Sequence, residues 1–191
     1  VCVLGPLVGR LKQAVVSLPG GCVIGDRPID LHLRGLEALG AKVEVKGGDV
    51  SVHAAEGLRG AEVNMRGKHG STVLGTGNIM MAAVLAKGQT VIEGAALEPE
   101  VSDLADFLNA MGAKVEGAGT RTIVVEGVEE LGGAEHVVIP DRIEAGTFLV
   151  AGALAGDDVT LENVCIAHMG ELINFLRQAG HPVNELPGNR L

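Results

Sequence analysis

Residues 35–43 read Gly35-Leu36-Glu37-Ala38-Leu39-Gly40-Ala41-Lys42-Val43, and this pattern occurs twice more in a chain of 191 residues. A close copy occupies residues 106–115, and a weaker copy occupies residues 172–183. In each copy an amphipathic helix stops at a glycine, which takes the left-handed conformation of a helix C-terminal cap at low cost. An extended run follows. The pattern therefore predicts three helix-turn-strand segments, capped at Gly40, Gly112 and Gly180.

Two further patterns alternate with this one. Residues 80–93 indicate a buried helix, a glycine turn and a strand, and residues 148–162 repeat that order. Short strands at 50–52 and 61–63 are expected to pair, as are those at 122–125 and 136–139. The repeat unit of roughly 70 residues then runs strand, helix, strand, helix and two strands, which predicts an α/β fold with helices packed on sheets. Ile79–Ala86 and Phe148–Leu154 are apolar on every side, so both helices are expected to be buried.

Composition narrows the classes of partner. Hydrophobic residues make up 47% of the chain, aromatic residues 2%, and the formal net charge is −9. The absence of a basic stripe or aromatic platform argues against nucleic acid, and no apolar run reaches the ~18 residues that span a bilayer. Neither the cysteines (Cys2, Cys22 and Cys165) nor the six histidines have the spacing of a disulfide framework or metal site. We expect a cytoplasmic protein with no metal or other cofactor, and the composition is compatible with an anionic small ligand.

The loop Pro19-Gly20-Gly21-Cys22 is the first candidate for chemistry. A proline followed by two glycines favours a tight, accessible loop over a packed strand. Nearby Arg10 and Arg27 would favour the thiolate of Cys22. The alternative is that Cys22 begins the apolar run Cys22-Val23-Ile24 as a small core residue, since free cysteine is commonly buried. The residues alone leave both interpretations open.

Two other segments could bind a ligand. The first is Arg27-Pro28-Ile29-Asp30-Leu31-His32. The alternative to ligand binding there is that Asp30 caps a helix over 32–39 and that Arg27 is a solvated surface charge. Residues 68–78 place small and hydroxylated side chains before the buried helix, where free N–H groups and the helix dipole favour a phosphate. The alternative there is an ordinary cap at Thr76 or Asn78. Ser102 and Asp103 are typical helix-start residues, and residues 140–144 hold a similar place in the next unit.

Five segments together resemble a known family: Leu4-Gly5-Pro6-Leu7-Val8, Leu18-Pro19-Gly20-Gly21-Cys22-Val23-Ile24-Gly25, Arg27-Pro28-Ile29-Asp30-Leu31-His32, Glu98-Pro99-Glu100 and Pro140-Asp141-Arg142-Ile143-Glu144. In this order they resemble the UDP-N-acetylglucosamine 1-carboxyvinyltransferases. The resemblance covers nearly the whole chain and weakens after Ala167. Its most specific part is the Pro-Gly-Gly-Cys loop followed by Gly-x-Arg-Pro, because the sister enzyme of the shikimate pathway shares the fold and lacks this loop.

The resemblance implies a fold of the enolpyruvyl (EPSP synthase-like) transferase type. Such a protein has two inside-out α/β barrel domains, each with three of the repeat units, and an active site between them. Residues 1–139 would be most of the cysteine-loop domain, and residues 140–191 the start of the second domain. The implied reaction transfers the enolpyruvyl group of phosphoenolpyruvate to the 3′-hydroxyl of UDP-N-acetylglucosamine and releases phosphate, the first committed step of peptidoglycan synthesis.

The resemblance also implies roles by position. Cys22 corresponds to the cysteine that protonates the methylene carbon of phosphoenolpyruvate, forms an adduct with it and is alkylated by fosfomycin. Arg27 corresponds to an arginine on the uridine side. The uracil-binding stretch corresponds to Pro28, Ile29, Asp30 and Leu31, and the diphosphate-binding segment to Ser71, Thr72 and Val73.

The chain departs from the family in two ways. The family usually has glycine where Leu74 stands, and the spacing of residues 68–71 is shifted. The family's Lys-Asn pair aligns before Val1, and the aspartate that takes the sugar proton and further phosphoenolpyruvate-binding arginines align after Leu191. We therefore expect the remainder of a longer chain to complete the site and this part to be inactive alone. Two rival interpretations are a same-fold transferase with another acceptor and a non-catalytic protein that binds a nucleotide sugar.

Overall fold

The computed structural model describes residues 1–18, 28–68, 70–156 and 158–191. They form two compact units, residues 1–136 and 137–191. The elements in chain order are α1 (Leu4–Leu11), β1 (Gln13–Ser17), α2 (Asp30–Ala38), β2 (Lys42–Lys46), β3 (Asp49–His53), β4 (Glu62–Asn64), β5 (Arg66–Gly67), β6 (Gly70–Ser71), α3 (Val73–Ala83), β7 (Gln89–Glu93), α4 (Pro99–Ala110), β8 (Lys114–Glu116), β9 (Thr122–Glu126), α5 (Arg142–Ala155) and α6 (Gly170–Gln178).

Unit 1 contains two sheets with the same strand order. The first runs β1-β3-β2, all antiparallel, and the second contains the equivalent order β7-β9-β8. The second sheet gains β4, which pairs parallel to β7. A small β5–β6 hairpin precedes α3. The α/β repeat inferred from the sequence is therefore present, with β4, α3, β7, α4, β8 and β9 forming one complete unit.

Helix α3 lies in the middle of the unit 1 core. Ile79, Met80, Ala82 and Ala83 are fully buried, which confirms the burial predicted from the apolar residues on all sides. The neighbouring helices approach closely at glycines. A Cβ on Gly5 of α1 would clash with the Asn78 backbone carbonyl, and one on Gly35 of α2 would lie 2.5 Å from the Ile79 side chain. Glycine is required at these two positions because the helix surfaces touch there.

The three predicted helix stops share one geometry. Gly40, Gly112 and Gly180 have φ of 90°, 100° and 93°. In the first, the Gly40 amide donates to Glu37 and the next amide, of Ala41, donates to Leu36; the other two repeat both hydrogen bonds. This is the Schellman arrangement, which satisfies carbonyls that a helix end otherwise leaves free. The prediction of three glycine caps is confirmed.

The expected strand pairs are wrong. Residues 50–52 belong to β3, which pairs with β1 and β2, whereas residues 62–64 pair with β7 in the other sheet. Residues 136–139 and 159–162 form no strand. The partner of a strand is determined by contacts between residues that are far apart in sequence. Short apolar runs do not specify those contacts.

Helix α5 in unit 2 is also more exposed than expected. Leu149 is buried, but Phe148 is 56% exposed and Leu154 is 76% exposed. An apolar helix is covered only where other elements pack on each face, and the described part of unit 2 supplies a small cluster around Leu149 and α6. The prediction that residues 148–154 are buried all round is therefore wrong for this structure.

Candidate substrate-binding site

The predicted uracil-binding stretch leads into the first turn of α2. Pro28 is exposed, Ile29 and Leu31 are half-buried, and both apolar side chains pack on the unit 1 core. A Cβ on Gly67 would lie 3.0 Å from Leu31 Cδ1, so Leu31 covers the β5–β6 hairpin. The backbone of this stretch is thereby fixed beside the hairpin that leads into α3.

Asp30 is the first residue of α2 and is exposed. The helix spans Asp30–Ala38 instead of 32–39, its N-cap is Ile29, and no side chain caps it. The prediction that Asp30 caps this helix is wrong, because the chain is already helical at Asp30. Its carboxylate sits at the positive end of the helix dipole, which stabilises a negative charge.

The predicted diphosphate stretch forms the entry to α3. Ser71 ends β6, Thr72 is the N-cap and Val73 is the first helical residue. Thr72 Oγ1 accepts a hydrogen bond of 3.1 Å from the Gly75 amide. The cap is therefore Thr72, and the alternative caps at Thr76 and Asn78 are wrong. Thr76 instead donates from Oγ1 to the Thr72 carbonyl over 2.7 Å and accepts from the Ala96 amide over 3.1 Å.

Two backbone amides at this helix end are left for a ligand. Within the described ranges, the amides of Val73 and Leu74 donate to no protein acceptor. Unpaired N–H groups and the helix dipole both attract an anion. The Leu74 side chain is 61% exposed and is therefore not packed in the core.

Contacts from α2 bring the two stretches together. Arg34 Nη2 donates to the carbonyls of Asn64 and Arg66, over 2.6 and 2.9 Å, and so joins α2 to the start of the β5–β6 hairpin. On the buried side, His32 Nδ1 lies 2.9 Å from Asn78 Nδ2. The sequence showed only that the histidines lack metal-ligand spacing and did not predict this pair, whose members stand 46 positions apart.

His32 is only 6% exposed. Burial lowers the pKa of its imidazole below the ordinary value, and the Asp30 carboxylate opposes this shift. His32 is therefore neutral near pH 7 and can accept a hydrogen bond at one ring nitrogen.

Some predicted residues lie outside the described ranges. Cys22 and Arg27 both fall in the stretch 19–27, so their roles stay predictions. Of the other cysteines, Cys2 is exposed and Cys165 is half-buried. Among the described residues no group of three or more His, Cys, Asp or Glu side chains is placed to hold a metal ion, and no described helix is both long and apolar enough to cross a membrane.

The remaining predicted segments have structural roles. Glu98 is the N-cap of α4 and Pro99 follows it in the first turn, so the expectation that Ser102 and Asp103 begin this helix is wrong by one turn. Asp103 instead lies 2.9 Å from His136 Nε2, and the His136 ring packs against Phe107 with centroids 5.2 Å apart. In unit 2, Asp141 caps α5 by accepting hydrogen bonds from the amides of Ile143 and Glu144.

The family of the chain follows from comparison with known proteins. The family model described as EPSP synthase (3-phosphoshikimate 1-carboxyvinyltransferase) matches residues 1–190. The chain belongs to this family. UDP-N-acetylglucosamine 1-carboxyvinyltransferases from Akkermansia muciniphila and Methylacidiphilum infernorum are 60% and 57% identical to this chain, over 96% and 94% of its length.

Solved structures give the same fold. An enolpyruvyl transferase, NikO from Streptomyces tendae, superposes with a TM-score of 0.80 at 24% identity, covering 99% of this chain and 45% of that one. An EPSP synthase from Acinetobacter baumannii superposes with a TM-score of 0.67 at 26% identity, covering 94% and 40%. The predicted α/β fold of the EPSP synthase-like type is confirmed. The chain spans 43% and 42% of the two relatives it matches from Akkermansia and Methylacidiphilum.

Proposed function

We propose that this chain is part of an enzyme that transfers the enolpyruvyl group of phosphoenolpyruvate to the 3′-hydroxyl of UDP-N-acetylglucosamine. Phosphate is released, and the product enters peptidoglycan synthesis in the cytoplasm. The observation that carries the proposal is the level of identity: relatives named for this reaction are 52–60% identical over nearly the whole chain, whereas the solved NikO and EPSP synthase chains are 24% and 26% identical.

The nucleotide sugar binds along the first turns of α2 and α3. Pro28, Ile29, Asp30 and Leu31 hold the uracil, with the exposed Asp30 carboxylate accepting from a uracil N–H. Ser71, Thr72 and Val73 hold the diphosphate, helped by the free amides of Val73 and Leu74. Arg27 adds a positive charge on the uridine side. The support for this arrangement is that Arg34 and Leu31 fix α2 beside the hairpin leading into α3.

Cys22 supplies the acid. Its thiol gives a proton to the methylene carbon of phosphoenolpyruvate while the sugar 3′-oxygen adds to the neighbouring carbon and loses its own proton to a base. Loss of phosphate and of one methyl proton then restores the carbon–carbon double bond as an enol ether. A thiol suits this role because its pKa lies close enough to neutral for proton transfer in either direction. The thiolate also accounts for the phosphoenolpyruvate adduct and for alkylation by fosfomycin.

Residues beyond this chain provide the rest of the chemistry. By resemblance to the family they are a Lys-Asn pair, further arginines for phosphoenolpyruvate and the aspartate that takes the sugar proton. The 191-residue chain alone is therefore expected to bind the nucleotide sugar weakly and to release no phosphate. No metal or other cofactor takes part in the steps proposed.

The test uses the protein encoded by the complete reading frame that contains this sequence. Phosphate release from phosphoenolpyruvate is measured with and without UDP-N-acetylglucosamine, and with and without fosfomycin. Release that depends on the sugar nucleotide and stops with fosfomycin is expected. Release only with a different acceptor would identify another same-fold transferase, and tight binding of UDP-N-acetylglucosamine without any release would identify a non-catalytic binding protein. Either result overturns the proposal.

A further inference from the structure

Asn78 is a fully buried amide at the meeting point of three helices. It lies in α3, about 9 Å along the helix axis from Thr72. Its Oδ1 accepts from the Gly5 amide over 2.6 Å, and its Nδ2 donates to the Val1 carbonyl over 3.3 Å. The same Nδ2 lies 2.9 Å from His32 Nδ1. One side chain thus connects α1, the first turn of α2 and the body of α3.

These neighbours determine the roles of both side chains. A backbone amide can only donate and a backbone carbonyl can only accept, so Gly5 and Val1 fix which end of the Asn78 amide carries nitrogen. Asn78 Nδ2 therefore donates to His32 Nδ1, and His32 must be neutral with its proton on Nε2. An imidazolium would turn an N–H toward the amide N–H and break the contact.

An apolar side chain of similar size would fill this position without the cost of burying an amide. The amide is explained by its directional hydrogen bonds, which a leucine or methionine cannot supply. His32 directly follows Leu31 and stands two residues after Asp30, both in the proposed uracil stretch. Asn78 belongs to the helix whose N-terminus forms the proposed diphosphate site. Their contact therefore links the two stretches directly.

We propose that Asn78 is a positioning residue for the nucleotide sugar: through His32 it aligns the uracil-binding turn of α2 with the diphosphate-binding turn of α3. This role rests on the proposed function. Asn78 touches no part of the ligand and acts only through the two helices. Among the described residues the charged group that faces His32 is Asp30 on α2, while α3 faces it with the uncharged Asn78.

The experiment measures the Kd of UDP-N-acetylglucosamine and the KM of phosphoenolpyruvate, from roughly pH 5.5 to pH 8, on the protein from the complete reading frame. Wild-type affinity for the sugar nucleotide should fall on the acid side, because protonated His32 cannot accept from Asn78. Asn78→Leu should raise this Kd about tenfold near neutral pH, with the difference from wild type narrowing on the acid side, and leave the KM of phosphoenolpyruvate within about twofold. Asn78→Asp should lose the acid-side weakening, because a carboxylate accepts from either protonation state of His32.

Thr90→Val is the matched control. Thr90 is as fully buried as Asn78, and its hydroxyl has no hydrogen-bond partner in the described residues, so its removal should leave both constants unchanged. A wild-type protein that fails to bind UDP-N-acetylglucosamine overturns the proposed function and this role with it. If the wild type binds and folded Asn78→Leu binds equally tightly, the positioning role alone is overturned. If Asn78→Leu does not fold, a wild-type acid-side weakening that persists in Asn78→Asp overturns it.

Discussion

Cys22 carries the proposed acid chemistry and can be tested against two other cysteines of the same chain. Cys22→Ser should lower kcat by about 10²–10⁴, because a serine hydroxyl is too weak an acid to protonate carbon. Cys22→Asp should keep measurable activity and resist fosfomycin, since a carboxylic acid can donate the proton and is a poor target for the drug. Phosphate release assays with and without fosfomycin check both results.

The controls are Cys2→Ser, at an exposed position, and Cys165→Ser, at a half-buried one. Both should keep wild-type activity and fosfomycin sensitivity. Full activity of Cys22→Ser would contradict the acid role.

His32 makes the stability of the chain depend on pH. Its folded-state pKa is lowered, chiefly by burial, so the unfolded chain binds its proton more readily. The free energy of unfolding should therefore be greatest above the ordinary histidine pKa of about 6.5. It should decrease as the pH is lowered from that value through the lower pKa of the folded state. The loss is about 1.4 kcal/mol for each unit by which the two pKa values differ.

Urea unfolding at several pH values measures this loss. His32→Asn can place an oxygen near the position of Nδ1 and should remove this part of the pH dependence. His53→Asn, on an exposed strand position, should retain it. An unchanged slope in His32→Asn would show that other groups cause the acid loss.

At the scale of single residues, a local feature such as a helix cap could be predicted from the sequence, and a contact between distant residues could not. A hydroxyl before the buried helix indicated a cap near its start, yet the sequence favoured Thr76 or Asn78 and the structure uses Thr72. The choice depends on where β6 ends, which is set by its pairing with β5. The contact of His32 with Asn78 spans 46 positions and leaves no periodic signal in either segment.

At the scale of elements, the glycine caps are the most predictable feature. Gly112→Ala should destabilise unit 1 by roughly 1–2 kcal/mol, because φ of 100° is a costly conformation for a residue with a Cβ. No neighbouring atom lies where that Cβ would go, so the effect would come from the backbone alone. Urea unfolding measures it.

Gly133→Ala is the control, since a Cβ there also meets no atom and Gly133 is not among the positive-φ glycines. It should change stability by less than about 0.5 kcal/mol. Equal effects of the two substitutions would contradict the cap.

Strand pairing was harder to predict than helix ends. The run Val50-Ser51-Val52 reads as a strand and is one, but its alternation does not say which strand lies beside it. Its partners β1 and β2 come from both sides in sequence. The equivalent β9 lies between β7 and β8 in the same way. The repeat in sequence therefore predicted a repeated topology without giving its order.

At the scale of the whole molecule, α3 and α5 show what an apolar pattern can predict. Residues 79–86 and 148–154 are apolar on all sides, and both segments were expected to be buried. Helix α3 packs against α1, α2 and α4 and against β7 and β9 of the second sheet, so its prediction is confirmed. Helix α5 exposes Ile143, Phe148 and Leu154. The pattern indicates that the apolar faces of a helix need to be buried, and the elements that bury them come from other parts of the chain.

The exposed face of α5 yields a prediction that compares two lengths of the same protein. In the 191-residue chain, Phe148→Ser should change the free energy of unfolding by less than about 0.5 kcal/mol, because Phe148 is more than half exposed. In the protein from the complete reading frame, we expect the additional sequence to cover this face, and the same substitution should then cost about 3 kcal/mol. Leu149→Ala, at a buried neighbour on the same helix, should cost about 2–5 kcal/mol in both. Urea unfolding of the four variant proteins measures these costs. A small cost of Phe148→Ser at both lengths would mean that α5 keeps an exposed apolar face in the intact protein.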